Sequence, residues 1–188
     1  LNPFDYEAFK KYEGRAYVVA TDIESGMPVY FRIRDVKKDM DAIRASASLP
    51  LVSRNVRIGN HLYLDGGISD AIPIRKSILD GNSKNVVVLT KEEGFVRQPT
   101  TQLPLLKIRY FRYPKVAELM AERHITYNNT MNYLYEQQKN GQAFVIRPAE
   151  KSNVGRIEKD EDKLKALYKQ GYADAEALYE PLLNYLES

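Results

Sequence analysis

Cysteine and tryptophan are absent from this 188-residue sequence, and histidine occurs only as His61 and His124. Without cysteine there is no disulfide, no thiol nucleophile and no cysteine-ligated zinc. No His-x-x-x-His pair is present, so a metal site would have to be built from carboxylates, and no acidic cluster has suitable spacing. No metal site is therefore expected. No apolar run approaches the roughly 20 residues of a membrane helix, and no signal-peptide pattern opens the chain. The net charge is only +3, with Lys and Arg dispersed among Asp and Glu. Clusters such as Arg32-Ile33-Arg34 read as solvated faces, which argues against an extended nucleic-acid surface. A Gly-rich phosphate loop is missing too, which weakens a nucleotide-binding reading.

What is present suits a soluble globular domain, with 44% hydrophobic and 28% charged residues. The length is enough for one domain with a sizeable core, taken as residues 1–188. Arg15–Ala20 and Pro28–Ile33 are rich in β-formers and read as a hairpin around Thr21–Gly26. Asp39–Ser46 reads as a helix, with Asp39 as N-cap and Met40, Ile43 and Ala47 on one face. Arg57–Leu64 is a strand or tight hairpin. Pro73–Leu79 is a helix, with proline in its first turn and Gly81 beyond its end. Asn85–Thr90 is a continuous apolar run, the pattern of a strand buried on both faces of a parallel sheet. Residues 91–114 read as irregular, an ordinary packed loop being favoured over a mobile segment near a site. Lys115–Gln138 is a long amphipathic helix that turns Val116, Leu119, Met120, Tyr127, Met131 and Leu134 inward. Ala143–Ile146 is a short strand. Asp160–Leu186 is helical, with breaks expected near Gly171 and Pro181. Its stripe of Leu164, Leu167, Tyr168, Tyr172, Ala175, Leu178 and Tyr179 reads as core packing in preference to a partner surface. Core strands would then occupy 1–90, and 115–188 would be mainly helical. Strands alternating with helices imply an α/β sandwich with a substantially parallel sheet.

The most informative feature is Asp65-Gly66-Gly67, at the end of the run Val56–Leu64 and just before Ile68–Ile74. A rigid strand positions a carboxylate at its end, while the adjoining loop leaves it accessible. Two glycines permit torsions closed to other residues and allow close approach of another segment. Asp-Gly is equally a common turn dipeptide.

Its context gives the box a function. Thr21-Asp22-Ile23-Glu24-Ser25-Gly26-Met27-Pro28-Val29-Tyr30-Phe31, then Ala45-Ser46-Ala47-Ser48-Leu49-Pro50, then Asp65-Gly66-Gly67 with Asp70-Ala71-Ile72-Pro73, follow one another. In that order they resemble the C-terminal half of a bacterial patatin-like phospholipase. The resemblance covers about residues 15–80 and implies a three-layer α/β/α sandwich. It also implies a Ser–Asp dyad in which Asp65 is the base and Gly66 and Gly67 let its loop sit against a nucleophile elbow. Two parts of the family pattern are not found. No Gly-x-Ser-x-Gly occurs, and neither does a Gly-rich oxyanion loop. Ser25, Ser46, Ser48 and Ser69 read as caps, turn or packing residues.

The chain opens Leu1-Asn2-Pro3-Phe4 without an initiator Met. The economical expectation is the C-terminal, base-carrying part of a lipid acyl hydrolase whose nucleophile lies upstream. The resemblance then implies an acyl ester or phospholipid substrate and a cytoplasmic setting, with room for peripheral membrane contact. Apolar surface left uncovered by missing strands would favour a homodimer. The alternative is a non-catalytic binding or assembly module on a degenerate hydrolase scaffold.

Overall fold

The computed structural model describes residues 3–152, 154–155 and 158–188. Leu1 and Asn2, the start of the opening tetrapeptide, lie outside them. The chain falls into two compact units. Unit 1 comprises Leu1–Pro73 and Arg97–Tyr127, and unit 2 comprises Ile74–Val96 and Asn128–Ser188.

In unit 1, α1 (Tyr6–Lys11) is capped by Asp5, whose carboxylate accepts from the amides of Glu7 and Ala8. Strands β1 (Ala16–Asp22) and β2 (Pro28–Ile33) form the expected antiparallel hairpin, with Ala16 opposite Ile33 and Thr21 opposite Pro28. Helix α2 (Met40–Ser46) follows. Asp39 stands at its N-cap position, where its carbonyl accepts from the Ala42 and Ile43 amides but its side chain does not bond the helix. Its Oδ2 instead accepts from the amides of Arg34 and Asp35, and these two hydrogen bonds hold its carboxyl below its ordinary value. The inward face of α2 is Ala42 and Ala45, and Met40 is largely exposed, because only small side chains fit where the helix meets the sheet.

The next hairpin joins β3 (Val56–Ile58) to β4 (His61–Asp65) through Gly59, at φ +60°, and Asn60. Strand β4 also pairs antiparallel with β1, placing Asp65 opposite Ala20, so the sheet order is β2-β1-β4-β3. After a 3-10 turn at Gly66–Ile68, the chain leaves unit 1 towards α3 (Ile74–Leu79) and returns at Arg97.

The stretch 91–114 is not irregular throughout. Helix α4 (Leu103–Arg109), with Pro104 in its first turn, occupies part of it. Leu106 is fully buried and Tyr110 only 1% exposed, in a cluster with Ile23, Leu64, Ile68, Val116, Ala117 and Met120. Two large anchors four residues apart hold this helix down, although its sequence is too short and mixed to show a clear period.

Helix α5 (Pro114–Lys139) is close to its expected limits and supplies residues to both units. Val116, Met120, Tyr127, Met131 and Leu134 are buried, as the periodicity predicts, and Leu119 is partly buried against the cluster that holds Val116 and Met120.

In unit 2, β5 (Asn85–Val88) and β6 (Ala143–Ile146) pair in parallel, Asn85 opposite Ala143. The fold is thus α/β, but among the described strands parallel pairing is confined to these two, and the four-stranded sheet is antiparallel. The reason is connectivity. Short turns can join antiparallel neighbours, as at Gly59-Asn60, whereas a parallel pair needs a long crossover. Nor is β5 buried on both faces. Asn85 is buried, whereas Val86 is 42% and Val88 71% exposed.

Helices α6 (Glu161–Ala177) and α7 (Tyr179–Glu187) close the chain. They meet at Leu178, so Gly171 lies inside α6 and Pro181 in the first turn of α7, where a missing N–H costs nothing. The expected core packing of the tyrosine stripe does not occur. Tyr168 is 73% and Tyr172 64% exposed, with Leu164 and Tyr179 also exposed. Helical spacing aligns these side chains on one face but cannot supply a surface to cover them.

Candidate active site

Asp65 ends β4 and also caps the 3-10 turn that follows. Its backbone is fixed on both sides. The Asp65 amide donates to the Ser48 carbonyl at 2.9 Å. The Asp65 carbonyl accepts from Thr21 Oγ1 at 2.8 Å. Thr21 is fully buried, and its hydroxyl lies 2.8 Å from Ser69 Oγ. A hydroxyl has one proton. Thr21 gives its proton to Asp65, so Ser69 donates to Thr21. Side chains from β1 and from beyond the 3-10 turn therefore pin the main chain at Asp65.

The two glycines have different tasks. A Cβ on Gly66 would stand 2.2 Å from the Val19 carbonyl oxygen, so only glycine lets this turn lie against β1. A Cβ on Gly67 would stand 2.9 Å from Asp65 Oδ1 and 3.2 Å from Arg123 Nη2. Its absence lets the Gly67 amide donate to Asp65 Oδ1 at 2.7 Å, while Arg123 Nε donates to the Gly67 carbonyl at 2.5 Å. The half-buried Asp65 carboxylate is thus held by one oxygen. Among the described residues no donor reaches Oδ2.

None of the serines weighed from the sequence bonds that carboxylate. Ser25 Oγ accepts from the Met27 amide in an exposed turn. The buried Ser48 donates to the Arg44 carbonyl at 2.7 Å, and Ser69 is committed to Thr21. Ser46 lies half-buried in the last turn of α2. Among the described residues no group of three or more His, Asp or Glu side chains is placed to hold a metal ion, and no helix is long and apolar enough to cross a membrane.

Next to the site, Asp22 organises the turn after β1. Its Oδ1 accepts from the amides of Glu24 at 2.9 Å and Ser25 at 3.0 Å, and Oδ2 lies 3.0 Å from His61 Nδ1. Burial pushes its carboxyl up, but the amides of Ser25 and Glu24 outweigh this, and the result is below the ordinary value. Burial, then the Asp22 charge, raise the Tyr63 phenol above its usual value.

Sequence reasoning missed three contributors to this site: the positioning roles of Thr21, Ser69 and Arg123. Thr21 could have been found from the Thr-Asp pair already noted. Nothing local marks Arg123, which lies 56 residues from Gly67.

The patatin-like phospholipase family matches residues 24–77, a stretch that contains Asp65-Gly66-Gly67 and supports a lipid-hydrolase family at a coarse level. A domain of unknown function, DUF6363, matches residues 113–187. The chain is also similar to the uncharacterized protein YjjU of Escherichia coli (strain K12), 37% identical over 75 residues. That similarity covers 39% of this chain and 21% of YjjU.

Proposed function

We propose that this chain is the base-carrying, C-terminal part of a patatin-like acyl ester hydrolase that uses a Ser–Asp dyad. Asp65 is the base in this reading, and Gly66 and Gly67 shape its loop. The observation that carries it is the Asp65 carboxylate itself. It is fixed by the Gly67 amide through Oδ1, open at Oδ2, and inside the stretch that matches the family.

The nucleophilic serine and the oxyanion donors come from outside this chain. The serine hydroxyl loses its proton to Asp65 Oδ2 as its oxygen bonds the acyl carbon. Asp65 then returns the proton to the departing alcohol, and water repeats the sequence to release the acid. A hydroxyl needs such a base within hydrogen-bond reach, and the tetrahedral oxyanion needs donors aimed at it. Acyl esters, phospholipids among them, are the substrates, and no metal or organic cofactor is required. The proposed setting is the cytoplasm, with peripheral membrane contact and a homodimer as further parts of the reading.

A second reading is a binding or assembly module on a hydrolase scaffold. It is favoured by the lack of any serine hydroxyl on Asp65 among the described residues. Labelling the complete gene product with a fluorophosphonate, followed by peptide mass spectrometry, separates the two. A labelled serine upstream of Leu1 is expected. A labelled serine inside this chain would move the nucleophile, and a folded protein that takes no label would favour the module. Asp65→Asn in the complete, unlabelled protein should lower turnover by about 10²–10⁴-fold without changing its melting temperature.

A further inference from the structure

Arg147 directly follows β6 and continues its inward row. Ala143 and Val145 are buried at 3% and 7% exposure, and strand alternation brings Arg147 next on the same face. Its side chain is 14% exposed. The ladder extends to this point, since the Leu89 amide donates to the Ile146 carbonyl at 2.8 Å. Arg147 therefore stands at the C-terminal end of two parallel strands, where open α/β sheets characteristically bind ligands.

Its guanidinium has few partners for a charge so far withdrawn from water. Nη1 donates to the Tyr135 phenol oxygen at 3.2 Å, and the group lies 5.2 Å from the centre of that ring. Glu93 Oε1 stands 3.9 Å away, beyond hydrogen-bond reach, on a side chain 85% exposed. Among the described residues Arg147 donates no other hydrogen bond, yet neither Nε nor Nη2 is sealed from solvent. A guanidinium has five N–H donors and a charge it cannot shed, and its fork matches paired oxygens. The Tyr135 hydroxyl takes one of these donors and leaves the others open.

We infer that Arg147, oriented by Tyr135, anchors a site for a small oxyanion, a phosphoryl or carboxylate group held by two of the open N–H donors. Glu93 is the exposed competitor that swings aside when the anion enters. The site lies within unit 2 and does not depend on chemistry at Asp65.

The test is a titration of the complete 15N-labelled gene product, following the Arg147 Nε–H resonance. Inorganic phosphate, glycerol 3-phosphate and acetate are added separately at constant ionic strength. A saturable shift is expected in the millimolar range, absent in Arg147→Met. Glu93→Gln should tighten binding about two- to five-fold, the scale of one exposed ion pair. Glycerol 3-phosphate binding at least tenfold tighter than phosphate identifies an esterified headgroup, equal affinity identifies free phosphate, and preference for acetate identifies a carboxylate. A shift that never saturates, or one that persists in Arg147→Met, overturns the site. If Arg147→Met does not fold, Glu93→Gln decides alone, and unchanged affinity there overturns the placement.

Discussion

The four-stranded sheet and the parallel pair bury their strands to different degrees. In the first, Ala20, Thr21 and Leu64 are fully buried, and α2 and the 3-10 turn lie against the central strands. In the second, β5 leaves Val86 42% and Val88 71% exposed, although four of its six-residue run Asn85–Thr90 are aliphatic. Strand propensity is comparable, but coverage is not. Where coverage is complete, a polar network can be held to a definite geometry, as Ser69, Thr21 and Asp65 are. An open strand offers no such enclosure.

That difference sets the size of mutational effects. Gly66→Ala should be the most damaging single change outside the chemistry, at about 3 kcal/mol or more, because its methyl group collides with β1 backbone that cannot retreat. Leu64→Ala should cost about 2–5 kcal/mol through the cavity it leaves. Val88→Ala, on the parallel pair, should stay within about 0.5 kcal/mol. Urea denaturation of the three variants measures all of this, and equal losses for Leu64→Ala and Val88→Ala would erase the contrast.

Acid sharpens the same comparison. The Asp22 carboxyl is held below its ordinary value of 3.8 in the folded state. The folded protein therefore binds fewer protons at this group than the unfolded chain. The stability it contributes is fully present above pH 3.8 and is lost as pH falls through the depressed folded value. Asp22→Asn should flatten the acid limb of a stability–pH curve and lower stability near neutrality by about 1 kcal/mol. An unchanged acid limb would remove Asp22 from the account.

The smallest effect is expected on α6. Tyr168→Ser should alter stability by no more than about 0.5 kcal/mol, since the ring is 73% exposed. A loss above about 1.5 kcal/mol in thermal melts would mean that the stripe is covered in solution.

Helices α5 and α6 show how far the sequence could be read. Both have apolar side chains at helical spacing. Helix α5 forms near its expected limits, and α6 starts where expected but ends at Ala177, short of the expected region. The stripe of α5 is buried, and that of α6 is exposed. Periodicity reports that a face exists and says nothing of what lies opposite. The Asp65 site divides in the same way. Its carboxylate and glycines were legible because a strand end and close backbone approach need those residue types. Arg123 was not, because a hydrogen bond spanning 56 residues leaves no local pattern.

The sequence alone determined the first hairpin, the long helix, the short β6 strand and the position of Asp65 at a strand end. Each follows from torsional preference and side-chain period over a few neighbouring residues. Tertiary structure decided the antiparallel partners of β4, the helical state of Leu103–Arg109, the exposure of α6 and the partners of Arg123 and Arg147. Each of these depends on which distant surfaces meet, and burial belongs to the pair of surfaces and not to either one.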